Sequence, residues 1–374
     1  MGDEQRGSLH SQGVDVVIHV GAPKTGSSAI QLFSMNNRKA LLDVGFYYPK
    51  HFVDKNGVSG GHSILSTLML KKSFFLARVY FRCQLLKARL MKKTLLLSSE
   101  GFCRCASRFW PLLEGLNVRV VGWFRHPVEA FVSNYNQSIK RHFCTKTIGE
   151  VFENLPSSPR PPNLSGKRLR RWADLVGDDN CTFLPYLKPS QGEPEKPIEE
   201  RWLEAIGVKT QYFDRFRFDA KRVNRSYVPD ALELKRLLNV ILSEDEGIDS
   251  HAVDWALQDY SDQSEHVEKG LSVYLEPEQV ERLSRAFHRT NSVLANRFPA
   301  MKLLLDRDET YLHQSRGAQK KPLDLGSALR HLEQLCPNEI ERIRAGVKHR
   351  LKTQKMVSSD VEKLALLLGL KEEC

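Results

Sequence analysis

The sequence predicts an α/β protein built on a central parallel sheet flanked by helices. Three observations predict it. Short strand-length runs rich in Val or Leu recur from Val14 to Val20, from Thr94 to Ser98 and from Val118 to Phe124. The second and third are nearly continuous in apolar residues, as parallel strands covered on both faces must be. Helical patterns separate the runs, so strand and helix alternate along the chain.

The first run ends at Gly21, and a helix carrying Ile30, Phe33 and Met35 among polar residues opens at Ser27. The stretch from Phe74 to Met91, rich in Leu, Phe and Arg, reads as a helix. A further helix follows the third strand, with Pro127 near its first turn, where a missing N–H costs nothing. On that helix Val128, Phe131, Val132, Tyr135 and Ile139 share a face that is expected to pack on the sheet, and Ser133, Gln137 and Lys140 share another. Pro/Ser-rich loops from Asn154 to Gly166 and from Ser190 to Pro197 bracket a segment expected to form a mobile cap or substrate element. Pro277 to Phe298 is helical in period. After Asp306 the chain turns charged and leucine-bearing, which predicts a domain over residues 14–300 and a helical C-terminal extension over 301–374. No internal repeat points to a solenoid.

With 374 residues, 41% of them apolar, the chain can bury a full core. Its longest uncharged apolar stretches, such as His62 to Leu70, are far short of a bilayer span, so no transmembrane segment is expected. The N-terminus has no apolar h-region, and Arg6 stands where a myristoylation signal wants Ser or Thr. Seven scattered cysteines with no CxxC pair and no zinc spacing suit a reduced, cytoplasmic setting. In that setting the Asn-x-Ser/Thr triplets at Asn136, Asn163, Asn180 and Asn224 carry no weight. A net charge of +11 favours anionic partners: nucleotides, acidic glycans, nucleic acid or a membrane surface. With no RNA-reading aromatic motif or zinc finger, nucleic acid is not the expected one.

The first chemical signal is Gly21-Ala22-Pro23-Lys24-Thr25-Gly26-Ser27-Ser28, set between a strand and a helix. Backbone N–H groups at such a helix start, with hydroxyls and a lysine, form a pocket for phosphate. A Walker A loop would place lysine after the second glycine; here Ser27 stands there and Lys24 lies inside the loop. The octet, with Gln31 after it, resembles the 5′-phosphosulfate loop of the sulfotransferases that use 3′-phosphoadenosine 5′-phosphosulfate (PAPS). That resemblance implies a P-loop NTPase-like fold. It gives Lys24 the task of neutralising the leaving oxygen as the S–O bond breaks, and makes Ala22, Pro23, Thr25, Gly26, Ser27 and Ser28 the phosphate cradle.

The second signal is a strand that ends at Arg125, followed by Ser133 within a helix. Open α/β sheets bind ligands at the carboxyl ends of their strands, where Arg125 can fork onto a phosphate. The pair Arg125 and Ser133 is similar to the family's 3′-phosphate motif. A Walker B strand would end in Asp to hold Mg²⁺, and this one ends in Arg. The family's late RKG triplet is absent, so the adenine site and the rest of the 3′-phosphate site stay open.

The strand before Glu100 delivers that carboxylate to the same sheet edge, where a partly dry cleft would raise its pKa toward use as a general base. Family resemblance gives a Glu or His there the acceptor's proton. His62, after Gly60-Gly61, is a rival or helper, because a glycine pair suggests close backbone approach near a ligand. His19, within the first strand, is expected to be a satisfied core residue. The basic cluster from Lys167 to Trp172 could grip an anion or be a solvated helix face, and Asn224-Arg225-Ser226 resembles a segment of related bacterial proteins.

The resemblance therefore implies sulfuryl transfer from PAPS, with adenosine 3′,5′-bisphosphate (PAP) as product and no metal, to a hydroxyl on a glycan or another polar metabolite. An ATP/Mg²⁺-dependent P-loop kinase and a non-catalytic basic nucleotide-binding scaffold are the alternatives.

Overall fold

Val16–Val20 forms β1 at the centre of a five-stranded sheet, with Phe46–Tyr47 (β2), Thr94–Ser99 (β3), Val118–Arg125 (β4) and Cys181–Tyr186 (β5). A computed structural model describes residues 13–53, 59–71, 73–155, 161–187, 196–218, 226–264, 274–317, 322–354 and 356–371. The strand order is β2-β3-β1-β4-β5 and every pairing is parallel. The chain moves outward on one side of β1 to β2 and β3, then crosses to β4 and β5 on the other. The carboxyl end of β1 is thus the place where the winding reverses, the usual ligand crevice of such sheets.

Both faces of the sheet are buried, which explains the near-continuous apolar runs. Val16, Ile18 and Val20 face one core with Leu95, Leu97, Val120 and Phe124, whereas Val17 faces the other with Leu96, Val121 and Trp123. The alternation follows from the strand period of two. The helices Phe74–Leu90, Ala106–Leu113 and Lys167–Val176 cover the first face; Ser27–Asn36 and Ile198–Ala205 cover the second. In Lys167–Val176 the buried residues are Leu169, Trp172 and Ala173, and the Trp172 indole N–H donates to the Phe102 carbonyl at 3.1 Å. The basic residues between them lie on the outer side of a sheet-covering helix.

The chain packs as two compact units. The first gathers Met1–Ala130, Pro161–Val223 and Arg285–Arg307 and holds the sheet. The second gathers Phe131–Arg160, Asn224–Ser284 and Asp308–Cys374. Its core joins Ile139, Leu234, Leu238 and Leu257 to Leu332, Ile343, Val347 and Leu364. The helices Leu325–Leu335, Pro337–Thr353 and Ser359–Leu367, which follow Asp306, share that core with Pro229–Leu242 and Ser250–Gln263. Tyr135 and Ile139, expected to pack on the sheet, belong to this second core instead. An apolar helix face dictates burial; the surface that buries it is a matter of topology.

Among the described residues no helix is long and apolar enough to cross a membrane. Cys83, Cys103, Cys105, Cys144, Cys181 and Cys336 are free thiols. Parts of both Pro/Ser loops, residues 156–160 and 188–195, and Asn224 and Arg225 lie outside the described residues.

Candidate functional site

Four adjacent strands of the first unit end together. β3 ends into Glu100, β1 into the loop Gly21–Gly26, β4 at Arg125 and β5 at Tyr186. The pairing of Val20 with Ser99 puts Gly21 and Glu100 side by side, and Arg125 pairs with Tyr186.

The loop is held in a conformation that side chains seldom adopt. Lys24 has φ 66° and Gly26 has φ 77°, both left-handed. Such a backbone costs a residue with a Cβ roughly 1–2 kcal/mol, so it needs support from its surroundings. Arg125 supplies some: its Nη1 donates to the Lys24 carbonyl at 3.2 Å. The Thr25 hydroxyl closes the loop from within, donating to the Ala22 carbonyl at 2.7 Å. A Cβ on Gly26 would stand 2.5 Å from Ile198 Cδ1, and one on Gly21 would stand 2.1 Å from Ser27 Oγ. Ala22 is buried and Pro23 half-buried on the way into the turn.

The helix Ser27–Asn36 starts without a side-chain cap, and Gly26 fills its N-cap. Its first N–H groups therefore lack the oxygen that Ser, Thr or Asp would offer. Among the described residues Ser27 Oγ is buried with no hydrogen-bond partner, as is Gln31 Nε2 one turn on, while Ser28 is half-buried. An unsatisfied buried polar atom costs about 1–3 kcal/mol. Orphaned donors at the positive end of a helix, beside a lysine and behind a glycine turn, fit an anion such as phosphate.

Arg125 is tied in place. Its Nε pairs with Glu129 Oε2 at 3.0 Å, its Nη1 holds the loop, and its guanidinium lies over the Tyr186 ring at 5.3 Å. As placed, it orients the loop. Ser133 is half-buried on the helix Pro127–His142, and it falls in the second unit.

Glu100 opens a short 3₁₀ turn, Glu100–Arg104, that the Ser99 hydroxyl caps by accepting from the Gly101 N–H at 3.2 Å. The residue keeps an exposed surface, yet the protein around its carboxyl desolvates it enough to raise its pKa. The positive charges of Lys24 and Arg104 pull the other way. A raised carboxyl pKa moves the group toward the range in which a carboxyl can serve as a general base.

His62 has another occupation. It is buried at 1% exposure; its Nδ1 accepts from the Ser98 N–H at 3.0 Å and its Nε2 lies 3.1 Å from the Pro49 carbonyl. Burial pushes its pKa down to about 3, the neighbouring His51 adding to the effect. With both nitrogens committed, the ring has no atom to take a substrate proton. The close approach that Gly60-Gly61 suggested is real, though its object is β3: a Cβ on Gly61, at φ 59°, would lie 2.2 Å from the Ser98 carbonyl. His19 is fully buried between Trp123 and Trp202, bonded through Nδ1 to Ser98 Oγ at 2.8 Å, and burial lowers its pKa to about 3.

Comparison of the chain with protein-family models, curated proteins and solved structures found no match. What the site can do is set by its own groups. Among the described residues no group of three or more His, Cys, Asp or Glu is placed to hold a metal ion. The sequence reading missed Glu129, Tyr186 and Arg201, whose Nη2 donates to the Pro185 carbonyl at 2.6 Å. Glu129 was within reach, since it stands one helical turn after Arg125; nothing local marks the other two.

Proposed function

We propose that this protein is a PAPS-dependent sulfotransferase that sulfates a hydroxyl on a glycan or another polar metabolite. The observation that carries the reading is the meeting, on adjacent strand ends, of a lysine-bearing loop with orphaned donors and a carboxyl of raised pKa. The loop suits a phosphosulfate: Ser27, Ser28 and the N–H groups of the uncapped helix would hold it, and Gly26 takes the left-handed turn that leads into that helix. When bound, the donor supplies the sulfuryl group and leaves as PAP.

Lys24 keeps its positive charge at the loop, where it stabilises negative charge growing on the departing oxygen. A donor placed this way contributes on the order of 10²–10³ in rate. Glu100 takes the acceptor's hydroxyl proton and holds it on its carboxyl. Arg125 and Glu129 fix the loop, so Lys24 is in position before the reaction begins. The free thiols support a reducing, cytoplasmic setting.

One feature favours the kinase alternative: a carboxylate beside a phosphate loop could also hold Mg²⁺. Thermal unfolding separates the two readings. Wild type and Lys24→Ala are melted with PAP, and separately with ATP and Mg²⁺. A ligand at a hundred times its Kd adds about 2.7 kcal/mol of stability. Stabilisation of wild type by PAP, reduced in Lys24→Ala and not matched by ATP–Mg²⁺, is the expected outcome. A shift with ATP–Mg²⁺ alone moves the kinase reading ahead, and no shift with PAP overturns PAPS as the donor.

A further inference from the structure

The helix Phe74–Leu90 of the first unit is apolar on two opposite sides. Ala77, Phe81, Leu85 and Ala88 are buried against the sheet. At 3.6 residues per turn, Phe75, Val79, Leu86 and Leu90 fall within about 60° of one another on the far side. They are 75%, 45%, 58% and 76% exposed, where a surface helix normally turns charged and polar residues to water. The charges lie instead along the borders of this stripe. Arg78, Arg82 and Arg89 follow one edge, Arg89 being paired with Asp15 at 2.9 Å, and Lys87 follows the other, all four exposed. Lys71 precedes the helix, Lys92 and Lys93 follow it, and no Asp or Glu occurs between Asp54 and Glu100.

This pattern selects its occupant by charge. In a symmetric pair each copy would press its cationic borders onto those of the other, which repel. A neutral apolar partner would offer no negative charge to Arg78, Arg82 and Lys87. Hydrocarbon beneath an anionic polar layer answers the apolar stripe and both borders together. We propose that this helix is an interfacial docking face for an anionic phospholipid bilayer. It lies in the membrane plane, with Phe75, Leu86 and Leu90 below the headgroups and the arginines and lysines level with the lipid phosphates. The inference stands apart from the chemistry assigned to the strand ends.

The test is flotation of the full chain with vesicles of phosphatidylcholine alone and of phosphatidylcholine mixed with phosphatidylserine. Binding is expected to the mixed vesicles, weakening as salt is added. Phe75→Ser with Leu86→Ser should lower the partition coefficient by about tenfold or more. Arg78→Gln with Arg82→Gln should lower it about fivefold per charge, on the mixed vesicles only. Circular dichroism checks that the variants fold; should the serine pair unfold, the arginine pair carries the test. Absence of binding to the mixed vesicles, or binding that neither pair alters, overturns the proposal. So does a dimer in sedimentation that the serine pair abolishes, which would make a second copy the occupant, or binding to polyglutamate with none to vesicles, which would make it an acidic protein.

Discussion

Two charged clusters, one in each unit, treat their polar groups in opposite ways. In the second unit Arg236, 3% exposed, is answered on every side. Glu233 takes its Nε and Nη2, Asp360 takes its Nη1 and Nη2, and the Thr145 carbonyl also accepts from Nη1. At the strand ends of the first unit Ser27 Oγ and Gln31 Nε2 are buried without partners, the helix start has no side-chain cap, Lys24 is strained and Glu100 is desolvated. The first arrangement spends its polar groups on the fold. The second leaves Ser27 Oγ and Gln31 Nε2 without hydrogen-bond partners among the described residues, as a site for a ligand would. The difference teaches where to look: what sets the candidate site apart from the Arg236 cluster is buried donors without partners at the strand ends, not charge density.

The largest effect should come from Glu100→Gln. Loss of a general base lowers turnover by roughly 10²–10⁴, so sulfuryl transfer in the variant should fall near background. In wild type the base must be ionised, so kcat/KM should rise with pH through a pKa above the ordinary carboxylate value, and that limb should vanish in the variant. Stability should move the other way. A carboxyl whose folded pKa is raised stabilises the fold below its unfolded pKa and loses that contribution as pH rises through the folded one. Glu100→Gln, always neutral, should therefore melt above wild type at neutral pH and match it in acid. Equal melting at both pH values would show that the carboxyl is not desolvated.

The opposite behaviour is expected of Arg236→Met. Removing Arg236 takes from Asp360 its guanidinium partner and leaves Glu233 with Lys363 alone, at a cost of about 3 kcal/mol, the lower end of the usual range because both carboxylates reach solvent. Urea unfolding measures it, and an unchanged midpoint would show that the network does not stabilise the second unit.

The contrast explains what the sequence could reveal. β1, β3 and β4 were legible because each is buried on both faces and therefore nearly uniform in composition. β2 has two residues, too few for a pattern, and β5 has Pro185 next to its end and only alternate residues buried. The turn around Lys24 was legible because Gly21 and Gly26 stand between an apolar strand and an amphipathic helix. His62 was not. Gly60-Gly61 announces that something comes close, and only the fold reveals that it is the backbone of β3. Tyr186 belongs to the site through strand pairing alone, and pairing leaves no local trace.

The smallest effect is the sharpest in sign, and it separates the backbone of Lys24 from its charge. At ordinary loop positions alanine is more stable than glycine by about 0.4–1 kcal/mol, because glycine has more conformational freedom to lose. At φ 66° the order should reverse. Lys24→Ala keeps a Cβ in the left-handed region, whereas Lys24→Gly relieves that strain, so the glycine variant should be the more stable of the two by about 1 kcal/mol. Both lack the ammonium, and both should lose the stabilisation by PAP to the same degree. If alanine proves the more stable, the loop is not left-handed at Lys24. If the glycine variant retains PAP binding that the alanine variant loses, the loop's shape, and not its charge, is what holds the ligand.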